Sequence, residues 1–403
     1  MKVKSIPEDF VVVEIVDIGA ESSGRYGLYL LEKKGWNTVD LLRRISAGSG
    51  VPYSRFSYGG RKDRHAHTLQ YVTVASSRDL TMEAPDYRFR RLGFTGRPMG
   101  PDLIRGNRFQ VVLRSFDAEE AVRFLKNAAE VERGGFPNYF DDQRFGSMDP
   151  ERGFIAERIL KGQWRGALEI YLTSSRREDP PAVRGLKSRM RETWGDWPAM
   201  LDAAREGAQG IQAGHAGHGA ELPILRLLAA EPRGYVRALQ MIPAEEMSLF
   251  FAAYQAYLWN EVLRRLLAGL GVSFTSHPGD AGPYLFFGTL TVSHLEYLRA
   301  LEMPLPAARA EFPDQTTAAL YAQVLDERGI HPGRFNLRKL RQAFFKPTPR
   351  KAVVFPSEFA VGQPEPDELN PGRLRLGATF LLPRGSYGTM LIKRLSAQPA
   401  SIR

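Results

Sequence analysis

The chain has 403 residues and a net charge of +10, so it is too long for one ordinary hydrophobic core. Two domains, or one domain with a large insertion, are expected. It has no cysteine, which excludes disulfides, thiolate metal sites and a cysteine nucleophile.

The basic excess is carried mainly by arginine, which favours planar recognition of phosphate and stacking on bases. Nucleic acid and an anionic membrane surface are the partners such a charge invites. The opening "MKVKSIPEDFVVVEI" lacks the apolar segment of a signal peptide, and no run is long enough to span a bilayer. A cytoplasmic location with no membrane partner is expected.

In chain order, "DFVVVEIVDI" reads as a strand, followed by a helix over "NTVDLLRRIS". Thr38 is the expected cap of that helix, with Val39, Leu42 and Ile45 on one face. "QYVTVA" and "RFQVVLRSF" are further strands, and "AEEAVRFLKNAAEVERGG" is a helix that stops at Gly134 and Gly135. From about 152 to 345 the pattern turns mostly helical, most strongly in "FFAAYQAYLWNEVLRRLLAGLG" and "QTTAALYAQVLDERGI". Within it, "REGAQGIQAGHAGHGAEL" reads as a glycine- and alanine-rich surface loop. Strand patterning returns in "KAVVFP" and "RLGATFLLP". No repeat at solenoid periods is present.

Nucleotide-cofactor and metal chemistry find little support. There is no phosphate-binding loop, and the glycines of "LGFTGRPMG" match no dinucleotide fingerprint. His215 and His218 have no acids or other ligand types beside them, which favours a plain loop over a metal site.

Three segments carry candidate chemistry. In "GGRKDRHAHTLQ", residues 59–70, Asp63 is the only acid and lies between Lys62 and Arg64. Neighbouring cations favour its ionised form. An ordinary ion-paired turn and a carboxylate presented to an anionic polymer both fit that pattern. "FPNYFDDQRFG", residues 136–146, offers aromatic faces for stacking, amides that can read a base edge, and an arginine for phosphate. One or two of its four aromatics are expected to fill the core instead. "LPRGSYGTMLIKRL" reads as strand, turn and helix, with Ser386 as the expected cap and Tyr387 beside it.

Taken in order, these segments resemble the TruD family of pseudouridine synthases. The family signature Gly-x-Lys-Asp-Lys/Arg-x-Ala-x-Thr-x-Gln is filled by Gly60, Lys62, Asp63, Arg64, Ala66, Thr68 and Gln70. "PEDFVVVE", "GLYLLEKKGWNT", "GNRFQVVLR", "PNYFDDQRFG", "AAYQAYLWN" and "LLPRGSYGT" resemble family segments too, and together the matches run from Lys4 to about Leu395.

The resemblance implies an α+β fold: a catalytic domain of residues 1–151 and 346–403, with a mixed antiparallel sheet flanked by helices, interrupted by a helical insertion domain at 152–345. It implies isomerisation of uridine to pseudouridine in RNA, most closely uridine 13 of tRNA, with no cofactor and no metal.

Carried over by position, Asp63 is the expected catalytic aspartate. Phe10, Asn138 and Tyr387 fall at substrate-contacting positions, and Phe140 is the expected stacking partner of the base. Lys4 matches a family lysine and is the expected ion-pair partner of Asp63, with Lys62 the second candidate. Three departures stand out. Tyr387 replaces a frequent phenylalanine, Ala256 a frequent serine, and Asp142 adds negative charge beside an RNA site. A non-catalytic RNA-binding protein or RNA chaperone is the competing reading, and a nuclease using His65 or His67 a third.

Overall fold

Runs of β-branched and aromatic residues with a period of two build an eleven-stranded sheet. The computed structural model of the chain describes residues 1–176, 179–210 and 221–399. The main strands are β1 (Phe10–Val16), β2 (Tyr26–Lys33), β3 (His67–Val74), β4 (Tyr87–Thr95), β5 (Ile104–Phe116), β6 (Ser357–Val361) and β7 (Leu374–Pro383). They lie in the order β6-β7-β5-β1-β3-β2-β4, with shorter strands beside them. β7 pairs along β5 from Leu374 opposite Phe116 to Pro383 opposite Gly106, so the two ends of the chain share one sheet.

Neighbouring strands in this sheet are antiparallel with one exception. β1 runs parallel to β3, with Val11, Val12 and Val13 opposite His67, Thr68 and Leu69. Because side chains alternate, this register puts Phe10, Val12 and Glu14 on the same face as Thr68, Gln70 and Val72. The pairing of β3 with β2 adds Tyr29, Leu31 and Lys33 to that face. These residues are buried, whereas Val13, Leu30 and Tyr71 on the opposite face are only half-buried.

Two apolar clusters cover the buried face. Helix α1 (Thr38–Ser49) packs Leu41, Leu42 and Ile45 on Tyr29, Val72 and Phe89. Helices α2 (Ala118–Gly134) and α4 (Gly388–Ser396) pack over Val111, Leu113 and Phe380. A polar seam of buried Glu14, Lys33, Thr68 and Gln70 separates the clusters. Burying a polar group is costly unless it is hydrogen-bonded, and the bonds made by Glu14, Lys33 and Gln70 are what shape the site.

Residues 155–327 are mainly helical, and their longest element is α3 (Ala244–Ala268). It is apolar nearly all round, with Phe251, Tyr254 and Trp259 buried, as expected of a helix enclosed on every side. Its core is continuous with that of α2 and α4.

Some local expectations change. Asn37, not Thr38, holds the cap position of α1, because the Thr38 hydroxyl is turned into the seam. Tyr387, not Ser386, precedes the first turn of α4, and no side-chain cap forms there. The stretch from Arg205 to Gly210 continues a helix that begins at Trp197 rather than opening a loop. His215 and His218 lie outside the described residues. All four aromatics of the 136–146 segment are buried, more than the one or two expected.

Arg114 ties the N-terminal turn to the C-terminal part of the sheet. It is almost fully buried, and its guanidinium binds Asp9 at 2.8 Å, Asp367 at 3.1 Å and Glu368 at 2.9 Å. Asp9 also accepts from the Ile6 amide at 3.2 Å, closing the turn between Lys4 and Phe10. Arg114→Ala would leave two buried carboxylates unpaired, so urea denaturation should show a loss of about 3–5 kcal/mol; a loss below about 1 kcal/mol would contradict this. Burial works to raise the Asp367 pKa, but amides of Ser115 and Leu369 with Asn370 and Arg114 hold it down at about 2. Its contribution is therefore present above about pH 4 and should fade as the pH falls toward 2.

Candidate active site

Parallel pairing places the starts of β1 and β3 at the same end of the sheet. The residues leading into β1 include Lys4, and those leading into β3 include Asp63, so the two meet there. Lys4 adopts a left-handed backbone with φ of 58°, an uncommon conformation for a residue with a side chain. From it the ammonium forms an ion pair with Asp63 Oδ2 and lies 4.4 Å from the centre of the Phe10 ring. The other carboxylate oxygen, Oδ1, accepts from the His65 amide at 2.9 Å.

The seam clamps the signature loop through its backbone. Buried Lys33 donates to the Asp63 carbonyl at 2.9 Å and to the Trp36 carbonyl at 2.7 Å. Thr38 Oγ1 accepts from the Lys62 amide at 3.0 Å and donates to Gln70 at 2.8 Å. Gln70 in turn donates to the Gly60 carbonyl at 3.3 Å. Lys62 turns away from Asp63, binding Glu14 at 2.8 Å and Asn107 at 2.6 Å.

These contacts set the charge states. Burial works to raise the Asp63 pKa, but the Lys4 hydrogen bond and the His65 amide outweigh it and hold the carboxyl below its ordinary value. Burial pulls the Lys33 ammonium down to about 8, against the attraction of Asp63. The side chain of Asp63 remains 28% exposed, enough for a ligand to reach it.

A second cluster forms where residues 137–144, 349–351 and 383–387 converge. Arg350 is boxed by aromatic rings, its guanidinium 3.9 Å from the centre of Phe140, 5.2 Å from Trp259 and 5.8 Å from Tyr387. It donates to Asn138 Oδ1 at 2.9 Å and to the Tyr139 carbonyl at 3.2 Å. Asn138 gives its amide N–H to the Lys351 carbonyl at 3.0 Å. Burial lowers the Arg350 pKa to about 10, which leaves it cationic at neutral pH. Of these residues, Asn138, Phe140, Arg350 and Lys351 line a cavity of about 800 Å³, together with Arg144, Arg299 and Arg384. That volume suits a nucleotide-sized ligand.

Asp63, Lys4 and Phe10 do not line this cavity. Phe109 joins the clusters: its ring meets Phe10 edge-on at 6.0 Å and receives Gly388, where a Cβ would stand 2.7 Å from the ring. Only glycine lets the start of α4, and Tyr387 with it, come so close. The Tyr387 hydroxyl accepts from Arg144 at 3.5 Å.

Other flagged residues resolve simply. His67 pairs with Glu32 at 2.7 Å, and His65 is exposed. Asp142 is tied down by Lys393, which it shares with Asp141, by the Tyr284 hydroxyl at 2.6 Å and by the Asp280 amide at 2.9 Å. Ala256 is buried within α3. Among the described residues no group of three or more histidines and acids is placed to hold a metal ion, and no helix is long and apolar enough to cross a membrane.

Lys33 and Arg350 were not singled out from sequence. For Lys33 a signal existed, since it follows Tyr29 and Leu31 at the inward period of β2. Arg350 sits in a basic run with nothing local to distinguish it.

Known proteins share the sequence pattern and the fold of this chain. Residues 1–281 match the family model described as tRNA pseudouridine synthase D (TruD). The tRNA pseudouridine synthase D of Aquifex aeolicus is 28% identical over 98% of this chain and 98% of its own. That of Leptospira interrogans is 27% identical over 97% and 95%. A solved TruD structure from Methanosarcina mazei has a TM-score of 0.73 at 25% identity, covering 98% of this chain and 93% of that one. The fold and its relatives define an isomerase of the pseudouridine-synthase class. Within that class, the chain belongs to the TruD family.

Lys4→Met would remove the strongest contact holding Asp63 ionised while leaving it half-buried. The acid limb of the pH profile of kcat/KM should then move to higher pH; an unmoved limb would show that Lys4 does not control the carboxylate.

Proposed function

We propose that the enzyme converts uridine 13 of tRNA to pseudouridine in the cytoplasm, with Asp63 as the catalytic carboxylate. The observation that supports this most is the Asp63–Lys4 pair: an ionised, partly exposed carboxylate fixed through its own backbone by Lys33. Uridine 13 is the position implied by the family resemblance, and the relatives' names supply tRNA as the substrate class.

Isomerisation breaks the N1–C1′ bond, forms a C5–C1′ bond, releases the C5 proton and leaves a proton on N1. No electrons are gained or lost. Three routes use Asp63 as an anion: attack on C1′, attack on C6, or removal of the C2′ proton. All require the uridine to leave its stack. In this reading the flipped base enters beside Phe140 and Tyr387, whose rings supply stacking surface. Asn138 keeps an unused lone pair and an unused N–H with which to meet the base edge. Phe10 supports Lys4 from below its ammonium. Lys62 fixes the loop through Glu14 and Asn107, and Arg350 and Arg144 hold phosphate. Residues 1–151 and 346–403 form the catalytic unit in this account, and 152–345 the insertion that closes one side of the cavity.

The test uses an unmodified tRNA transcript carrying tritium at uracil C5. Wild type should release tritium from intact RNA, and Asp63→Asn should lower that rate by about 10²–10⁴-fold. A transcript with cytidine at position 13 should release none from that site. Bound RNA with no release by wild type would favour a binding protein, and shortened RNA a nuclease.

A further inference from the structure

Net charge is distributed unevenly along the chain. Residues 328–357 hold eight lysines and arginines and no aspartate or glutamate, so this segment alone carries +8 of the total +10. Blocks of like charge repel one another unless a partner neutralises them. Elsewhere on the surface arginines are commonly paired, as in Arg88 with Glu83, Arg97 with Asp102 and Arg375 with Glu365. In contrast, Arg334, Arg338, Lys339, Arg341 and Lys346 are exposed, and none makes an ion pair among the described residues.

Packing decides which way this segment faces. Phe345 stacks on Phe251 of α3 at 4.4 Å and meets Phe335 edge-on at 4.9 Å. Leu340 and Ala343 are buried with it. Anchoring Phe345 inward turns its neighbour Phe344 outward, where it is 69% exposed with the Lys346 ammonium 5.1 Å from its ring centre. A large aromatic held open to water among unpaired cations matches what a nucleic-acid strand uses: a stacking face for a base and charge for phosphates. The same strand of protein then runs into the cavity, which Thr348, Pro349, Arg350 and Lys351 line. From Phe344 to Arg350 the chain spans at most about 21 Å.

We propose that residues 334–351 form a track that binds the RNA substrate outside the reacting nucleotide, with Phe344 stacking on an unpaired base and Arg338, Lys339 and Arg341 on phosphates. This rests on the reading of the chain as a tRNA-modifying enzyme and extends it to the surface that selects the RNA. The track holds a segment of the RNA that neighbours the nucleotide reaching Asp63.

The test measures binding of a fluorescein-labelled, unmodified tRNA transcript by anisotropy, with every variant built on Asp63→Asn so that no turnover intervenes. Phe344→Ala should weaken binding about tenfold, the scale of one base–aromatic stack. Phe344→Trp should restore it, which repair of a folding defect would not explain. Replacing Arg338, Lys339 and Arg341 together by alanine should reduce the slope of log Kd against log salt by about 2–3. Val292→Ala, at an exposed apolar position elsewhere, serves as the control and should bind like its parent. Unchanged affinity and slope in the track variants would overturn the proposal. So would unchanged RNA affinity accompanied by loss of binding to phosphatidylserine vesicles, which would make the track a membrane surface. Tritium release by wild type is scored separately. Track-dependent binding without release would sink the reaction and leave the track standing.

Discussion

A single parallel pairing within an otherwise antiparallel sheet determines what this protein can do. Had β1 and β3 run antiparallel, the residues before one strand would lie at the opposite end from those before the other. Parallel, they share an end, and Lys4 meets Asp63 across 59 positions of sequence. A one-residue slip of any of these strands would turn its own seam residues to the other face, Glu14 on β1, Lys33 on β2, or Thr68 and Gln70 on β3. The burial of Glu14, Lys33 and Gln70, whose side chains find their partners only in this register, therefore helps lock the pairing that creates the site.

The seam they form also explains why the signature stretch has its particular residues. Gln70 and Thr38 hold the loop at Gly60 and Lys62, Lys33 holds the Asp63 carbonyl, and Lys62 neutralises buried Glu14. The carboxylate of Asp63 is thereby left partly exposed beside Lys4. The cations around it divide the work: Lys62 and Lys33 serve the scaffold, whereas Lys4 serves the charge of the carboxylate. Arg350 plays a comparable part in the second cluster, ordering Asn138 and presenting a cation within an aromatic box. Both clusters rest on Phe109, so α4 and the N-terminal turn are held to a common support.

Much of this was legible before the fold. The β-branched run "DFVVVEIVDI" and the long apolar helix within 250–271 appear where expected. Asp63 stood out as a lone acid among cations, although its pairing with Lys4 depended on the family resemblance, since no local pattern links residues so distant in sequence. Thr38 is a good capping residue, but its hydroxyl is claimed by Gln70 and the Lys62 amide at the seam; nothing in the structure explains why Ser386 gives up the cap position. The aromatics of 136–146 looked like a base-binding loop and proved mostly core, because α3 and the 284–287 strand enclose them. The outward turn of Phe344 was hidden for the opposite reason. Two adjacent phenylalanines look equivalent until one finds Phe251.

The central claim is that Lys4 keeps Asp63 ionised. It is tested most directly by a carbon-13 NMR titration of the Asp63 carboxyl in the free wild-type enzyme and in Lys4→Met. The account predicts a wild-type pKa below the ordinary aspartate value of 3.8 and a higher pKa in the variant, because the His65 amide is then left to oppose burial without Lys4. Equal pKa values in the two proteins would contradict it.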